Sequence, residues 1–304
     1  MTIPARSIIA VLILGAQSLV SLPAQLRVAT THPLIGDLAR QVGGERVAVI
    51  DILRPGQDLH HFEPAASDLR ALAGVALVLA SGKNLESYLP KLRDSLGPGV
   101  RIVEVGRSIP SLKVTPGDAV FLCCPEHMAG GIDPHWWHSP SNMARAAGVV
   151  AKAFTEADPP NAAAYKANGV AAAKRIQALK AWAKEQISVI PRSKRKLVTS
   201  HAAFGYFCRE FGFQFIPVMG LAQEEDYSPK FVAEAIRIIR EDKIIGIFPE
   251  DQTNPKILRE ISRQSGVAVA KPLIADGTNP GAGSTFEGML RHNVATIVET
   301  LAKP

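Results

Sequence analysis

Short apolar runs punctuate the first part of the chain: 26–30 (LRVAT), 46–52 (RVAVIDI), 75–81 (VALVLAS) and 101–105 (RIVEV). Each is rich in β-branched residues and nearly continuous in hydrophobicity. That pattern predicts strands covered on both faces rather than strands with one wet side. Between them, PLIGDLARQVGG and SDLRALAG carry apolar residues at helical spacing and end near glycine, which predicts helices with glycine stops. Strand and helix in alternation predict a parallel α/β sheet. After Pro191 the alternation returns as KLVTS, AAFGYFCREFG, FQFIPVM, SPKFVAEAIRIIRED, IIGIFPE, NPKILREISRQSG and VAVAKPLI, then a last helix near Phe286–Leu301. This predicts a second α/β lobe.

The stretch between these two regions has a different texture. From Asn161 to Ser188 it is rich in Ala, Lys and Gln, shows no two-residue alternation, and follows Pro159-Pro160. These are strong helix formers behind a plausible helix start. One helix of roughly 28 residues would run about 42 Å, which suits a strut between lobes. Gly169 stands inside it as a candidate bend. The expected fold class is therefore α/β: two parallel-sheet lobes, 25–157 and 191–304, bridged by one long α-helix within 158–190.

The chain has 304 residues, 47% of them hydrophobic and 20% charged, an ordinary globular composition that excludes disordered and fibrous classes. Arg6, the uncharged run Ser7–Val20 and then Ser21-Leu22-Pro23-Ala24 form the pattern of a cleavable signal peptide over residues 1–24. The run is short for a dedicated membrane span, which needs about 20 apolar residues. No cysteine follows it to carry a lipid. The expectation is a periplasmic mature chain starting near Gln25, without stable membrane insertion. The basic cluster Arg192–Lys196 precedes a strand and reads as a solvated loop, with no nucleic-acid module beside it. Of the three cysteines, Cys123 and Cys124 are neighbours, which disfavours a bridge between them. A bridge from Cys208 to either one, free thiols and thiols touching a metal all stay open.

The chemistry concentrates in the histidines. Eight occur, and two short clusters hold four of them: His60 and His61 in GQDLHHFEP, and His135 and His138 in DPHWWHSP. His201 closes KLVTSH, and Asp276 follows AKPLI. All fall at strand ends or in the loops beyond them, and open α/β sheets bind ligands at that edge. Three imidazoles and a carboxylate, two positions from each lobe, suit a divalent transition metal such as Zn²⁺ in a cleft. His32, His127 and His292 read as packed or hydrogen-bonded histidines. Trp136, Trp137, Phe204, Tyr206 and Phe207 read as cleft packing. Neither HExxH nor a G-x-S-x-G elbow occurs. Four protein ligands would also leave no open position for a catalytic water, which argues against a hydrolase.

The same residues carry a resemblance. His60-His61-Phe62-Glu63-Pro64 resembles the H-x-[YF]-E-P motif of the cluster A-I (TroA-like) solute-binding proteins of zinc and manganese ABC importers. Asp133-Pro134-His135-Trp136-Trp137 resembles their D-P-H-x-W segment, and His201-Ala202-Ala203-Phe204 with Tyr206-Phe207 their H-x-A-[FY]-x-Y-F segment. Ile247-Phe248-Pro249-Glu250 and Asp276 match two later landmarks in order. The resemblance implies two lobes on a rigid helix and a ligand set of His60 (rather than His61), His135, His201 and Asp276. It implies Zn²⁺ as bound cargo ahead of Mn²⁺, because a histidine at the third position marks the zinc-leaning branch. It also implies a membrane permease of an ABC importer as partner and a monomeric receptor, with an adhesin or hydrolase on the same fold as rival uses. Two features depart from the pattern. The short CCPEHMAGG replaces a long acidic, histidine-rich loop, and His138 stands where relatives carry an apolar residue, as a supporting partner, an alternate ligand or an exposed side chain.

Overall fold

The computed structural model describes residues 24–114, 131–200, 202–217, 229–250, 256–278 and 280–303. The β-branched runs form strands where the pattern places them. β1 (Leu26–Thr30), β2 (Val47–Asp51), β3 (Leu77–Ala80) and β4 (Arg101–Glu104) make a sheet of order β2-β1-β3-β4. All neighbours are parallel, with Val28 level with Val49 on one side and Leu77 on the other. β5 (Lys196–Thr199), β6 (Gln214–Pro217), β7 (Gly246–Phe248) and β8 (Ala268–Val269) repeat the winding as β6-β5-β7-β8, again parallel. Each sheet thus has a crevice at the carboxyl ends of its first and third strands, where the strand order reverses.

β8 is shorter than its apolar run. Pro272 has no N–H to give a ladder. The extended chain rejoins the sheet at a single bridge, where the Leu273 amide donates to the Pro249 carbonyl at 2.8 Å.

Three of the described helices begin on side-chain caps. α1 (Pro33–Gly43) has Pro33 at its first position and His32 as its cap, with the His32 Nδ1 accepting the Leu34 amide. The predicted SDLRALAG helix is the short α2 (Ala66–Ala71), and α3 (Leu89–Leu96) is a further helix with Pro90 in its first turn. α4 (Pro140–Ala157) starts on Ser139, whose hydroxyl accepts the Asn142 amide.

The predicted strut is α5 (Ala162–Ser188). Its buried residues are Tyr165, Gly169, Ala172, Ile176, Leu179, Ala183 and Ile187, a stripe spaced three and four apart. The strut is not free-standing: it doubles back along α4, touches α1 and reaches α9 (Phe286–Leu301) of the second lobe. The Arg291 guanidinium lies over the Trp182 ring at 4.5 Å and fastens α9 to α5. Gly169 is a packing device rather than a bend, since helix runs on both sides of it and a Cβ there would meet the Ala151 Cβ at 2.7 Å. α6 (Gly205–Phe211), α7 (Pro229–Glu241) and α8 (Lys256–Ser265) complete the second lobe.

One apolar core runs through both lobes, from Val28 and Leu77 to Phe204, Phe207 and Ile274. A satellite core built on Ile236, Ile247 and Leu258 lies under α7 and α8. Among the described residues, no helix is long and apolar enough to cross a membrane.

The α4–α5 contact gives a stability prediction. Gly169→Leu forces the two helices apart and should cost about 1–3 kcal/mol in denaturant unfolding. Val170→Ala, at a position 71% exposed, should stay within about 0.5 kcal/mol of the parent. Equal effects at the two positions would refute the close-packing role.

Candidate metal centre

His60 sits in the loop beyond β2, and a carboxylate sets its direction. Asp58 Oδ1 accepts the His60 amide at 2.8 Å, while Asp58 Oδ2 holds the His61 Nδ1 at 2.8 Å. One side chain therefore fixes the backbone of the first histidine and keeps the ring of the second at the surface. Burial pushes the Asp58 carboxyl up, but hydrogen bonds from His61 and the His60 amide outweigh it and leave the group below its ordinary value.

His135 is fixed the same way from two residues upstream. Asp133 Oδ1 accepts both the His135 amide and its Nδ1, each at 2.8 Å. Because a carboxylate accepts there, Nδ1 carries the proton and Nε2 presents a lone pair. The Tyr206 hydroxyl, from the opposite lobe, donates to the Asp133 carbonyl at 3.1 Å and accepts the Leu112 amide at 2.7 Å.

Asp276 follows the extended segment after β8. Asn293 on α9 grips Ile274 from both sides, its Oδ1 accepting the amide and its Nδ2 donating to the carbonyl, both at 2.8 Å. The Trp137 indole donates to the Ala275 carbonyl at 2.9 Å. Gly277 then turns the chain at φ +68, and a Cβ there would strike the Leu34 side chain at 2.7 Å. Only glycine meets both demands.

These supports bring three of the four expected residues together. The Nε2 atoms of His60 and His135 are 3.3 Å apart, and His60 Nε2 is 3.9 Å from Asp276 Oδ1. All three candidate ligand atoms lie within 4.8 Å of one another, with His135 and Asp276 buried. Two nitrogens bound at ~2.0–2.1 Å to one tetrahedral ion would be separated by about 3.3 Å. A lone pair and a carboxylate converging in a largely buried seam favour a cation between them.

His201 lies outside the described residues, as do His127, Cys123, Cys124 and residues 1–23. The positions flanking His201, Ser200 and Ala202, are buried at the carboxyl end of β5, and Glu250 accepts the Ser200 amide at 3.1 Å. His138 is not exposed. It is buried with its ring 4.4 Å from that of Phe204, and it is not part of the three-residue cluster. His32 is fully buried against Trp137 at 4.3 Å. Burial, and then His138, drop its pKa to about 3, so it stays neutral. His292 meets the Pro272 carbonyl at the surface. Cys208 is a buried free thiol, pushed up by burial and by Asp133.

Sequence reasoning did not assign the supporting roles of Asp58, Asp133, Asn293 and Trp137. For the two acids a signal existed: an aspartate two residues before a histidine accepts that histidine's own amide in a local turn. Asn293 and Trp137 act across long sequence separations and left no such trace.

The family described as ZnuA, the periplasmic component A of a zinc-uptake complex, matches residues 28–300. The chain belongs to this family. The iron-binding protein YfeA of Yersinia pestis is 31% identical over 277 residues, covering 90% of this chain and 86% of that one. The manganese-binding lipoprotein MntA of Bacillus subtilis is 30% identical, covering 91% and 90%. The periplasmic zinc-binding protein TroA from Treponema pallidum shares the fold with a TM-score of 0.81, at 24% identity, over 92% of this chain and 100% of that one. Members of the family are metal-binding receptors of ABC transporters and not enzymes, so this chain is an extracytoplasmic receptor that works with an ABC permease. The metals named for its relatives differ from one to the next.

The Asp133 contact generates a prediction. Asp133→Ala frees the His135 ring and should weaken metal affinity by about 10–100-fold in competition with a chelator. An unchanged affinity would mean that His135 does not depend on this carboxylate.

Proposed function

We propose that this receptor captures one divalent transition-metal ion, zinc first, between its lobes in the periplasm and delivers it to its permease. The observation that carries the reading is the convergence of His60 and His135 from one lobe with Asp276 from the other, ligand atoms within 4.8 Å. His201 is the fourth ligand in this reading, supported by its motif and by its place after β5. Three imidazoles and a single carboxylate favour zinc over harder ions, which prefer more oxygen donors. Manganese is the second reading, supported by manganese-binding relatives such as MntA. Residues 1–24 serve as a cleavable leader, 25–157 and 191–304 as the two lobes, 158–190 as their connection, and the mature receptor is a monomer. Purifying the protein from the periplasm and measuring its bound metals tests the cargo. Stoichiometric zinc is expected, and stoichiometric manganese with little zinc would replace the first reading by the second.

Alanine substitutions test the ligands. His60→Ala, His135→Ala, His201→Ala and Asp276→Ala should each weaken zinc binding far more than His61→Ala or His138→Ala. A larger loss at His61 than at His60, or at His138 than at His135, would reverse the assignment within that cluster.

Acid should also release the ion. Imidazole binds metal as the neutral form and titrates near 6.5 when unperturbed, so affinity should fall steeply as pH drops below about 6. Calorimetry that finds equal affinity at about pH 7.5 and about pH 5 would exclude histidine ligation.

A further inference from the structure

Two adjacent tryptophans follow His135, and they differ in one respect. Trp136 and Trp137 are 0% and 1% exposed, and each indole N–H donates a hydrogen bond. The Trp136 indole stays within its own lobe, donating to the Ser81 hydroxyl at 3.0 Å beyond the end of β3. The Trp137 indole crosses the seam to the Ala275 carbonyl at 2.9 Å. Ala275 immediately precedes Asp276, and Trp137 stands two residues after His135, with its ring 5.2 Å from the His135 ring.

The indole bond therefore joins the two backbones that carry His135 and Asp276. With an ion bound between those side chains, the same two backbones are joined twice, once by the metal and once by the hydrogen bond. We propose that Trp137 is a positioning residue that hooks the Ala275 carbonyl across the seam and so sets Asp276 at ligand distance from His135. This rests on the reading that His135 and Asp276 hold the metal. Its partner on the other side of Ile274, Asn293, belongs to the same lobe as Asp276 and cannot set an inter-lobe distance. Neighbouring rings hold Trp137 rigid, with the His32 ring 4.3 Å away on one side and Trp136 packed edge-on at 6.4 Å. Coupling between two sites is reciprocal in free energy, so whatever factor the hook adds to metal affinity, the metal returns to the hook.

The neighbouring tryptophan supplies the control. Trp137→Phe and Trp136→Phe each remove one buried indole and its N–H donor, shared in Trp136 between the Ser81 hydroxyl and carbonyl, and both should lower the unfolding temperature of the metal-free protein. Trp137→Phe should in addition weaken Zn²⁺ binding by about 10-fold or more in chelator competition, the usual scale for loss of a partner behind a ligand. Trp136→Phe should bind like the wild type. Equal affinities in the two variants would overturn the proposal and reduce Trp137 to packing. Failure of the wild type and of Trp136→Phe to bind either Zn²⁺ or Mn²⁺ would instead overturn the metal reading, and the hook with it.

A measurement on the unaltered protein keeps the test open should Trp137→Phe fail to fold. With ¹⁵N-labelled indoles, Zn²⁺ should slow hydrogen exchange at the Trp137 N–H by about 10-fold more than at the Trp136 N–H, which reports only the general stabilisation of the fold by the ion. Equal responses of the two indoles to Zn²⁺ would overturn the proposal.

Discussion

Two imidazole nitrogens and a carboxylate oxygen lie within 4.8 Å of one another in a largely buried seam, an arrangement that could hold a cation. The surrounding structure answers that constraint. Each of the three described candidate ligands has a group behind it: Asp58 under His60, Asp133 on His135, and Asn293 with Trp137 around the segment leading to Asp276. All of these supports are made by the chain's own side chains, which aim the electron-rich atoms at one another. Burial strengthens whatever attraction the cation then makes.

A cluster with His60 and His135 on one lobe and Asp276 on the other requires the lobes to keep their spacing. The long helix contributes by being glued rather than suspended, with its apolar stripe against α4 and α1 and its Trp182 under Arg291 of α9. Hydrogen bonds across the seam add to this. Asp37 accepts the Phe286 amide, Glu210 accepts the Ser139 and Ser141 hydroxyls while pairing with Lys180 of the strut, and the Gly56 amide donates to the Thr278 carbonyl. The core itself runs from lobe to lobe.

The architecture was legible because its signals are periodic. Continuous β-branched runs mark strands covered on both faces, and a stretch of Ala, Lys and Gln without alternation marks the strut. α3 escaped because it is one short amphipathic segment opened by a proline, too brief for periodicity to stand out. β8 was overestimated because apolar character persists through a proline that ends the ladder. At the candidate site, the convergence of His60, His135 and Asp276 was legible through motif and strand-end position. The burial of His138 was not, since whether a helix-entry side chain faces in or out depends on the other lobe, where Phe204 covers it. The supporting bonds from Asn293 and Trp137 were hidden for the same reason: each joins residues that only the finished fold makes neighbours.

His32 caps α1 through Nδ1, so its single proton resides on Nε2 and a second would have nowhere favourable to go. With its pKa at about 3, this ring is silent to protons across the range in which imidazole ligands exchange theirs for metal. A histidine packed on Trp137 is thus a spectator in the acid–base chemistry of the seam. Heats of metal binding compared between buffers of different ionisation enthalpy will count displaced protons, and this imidazole adds none to the tally.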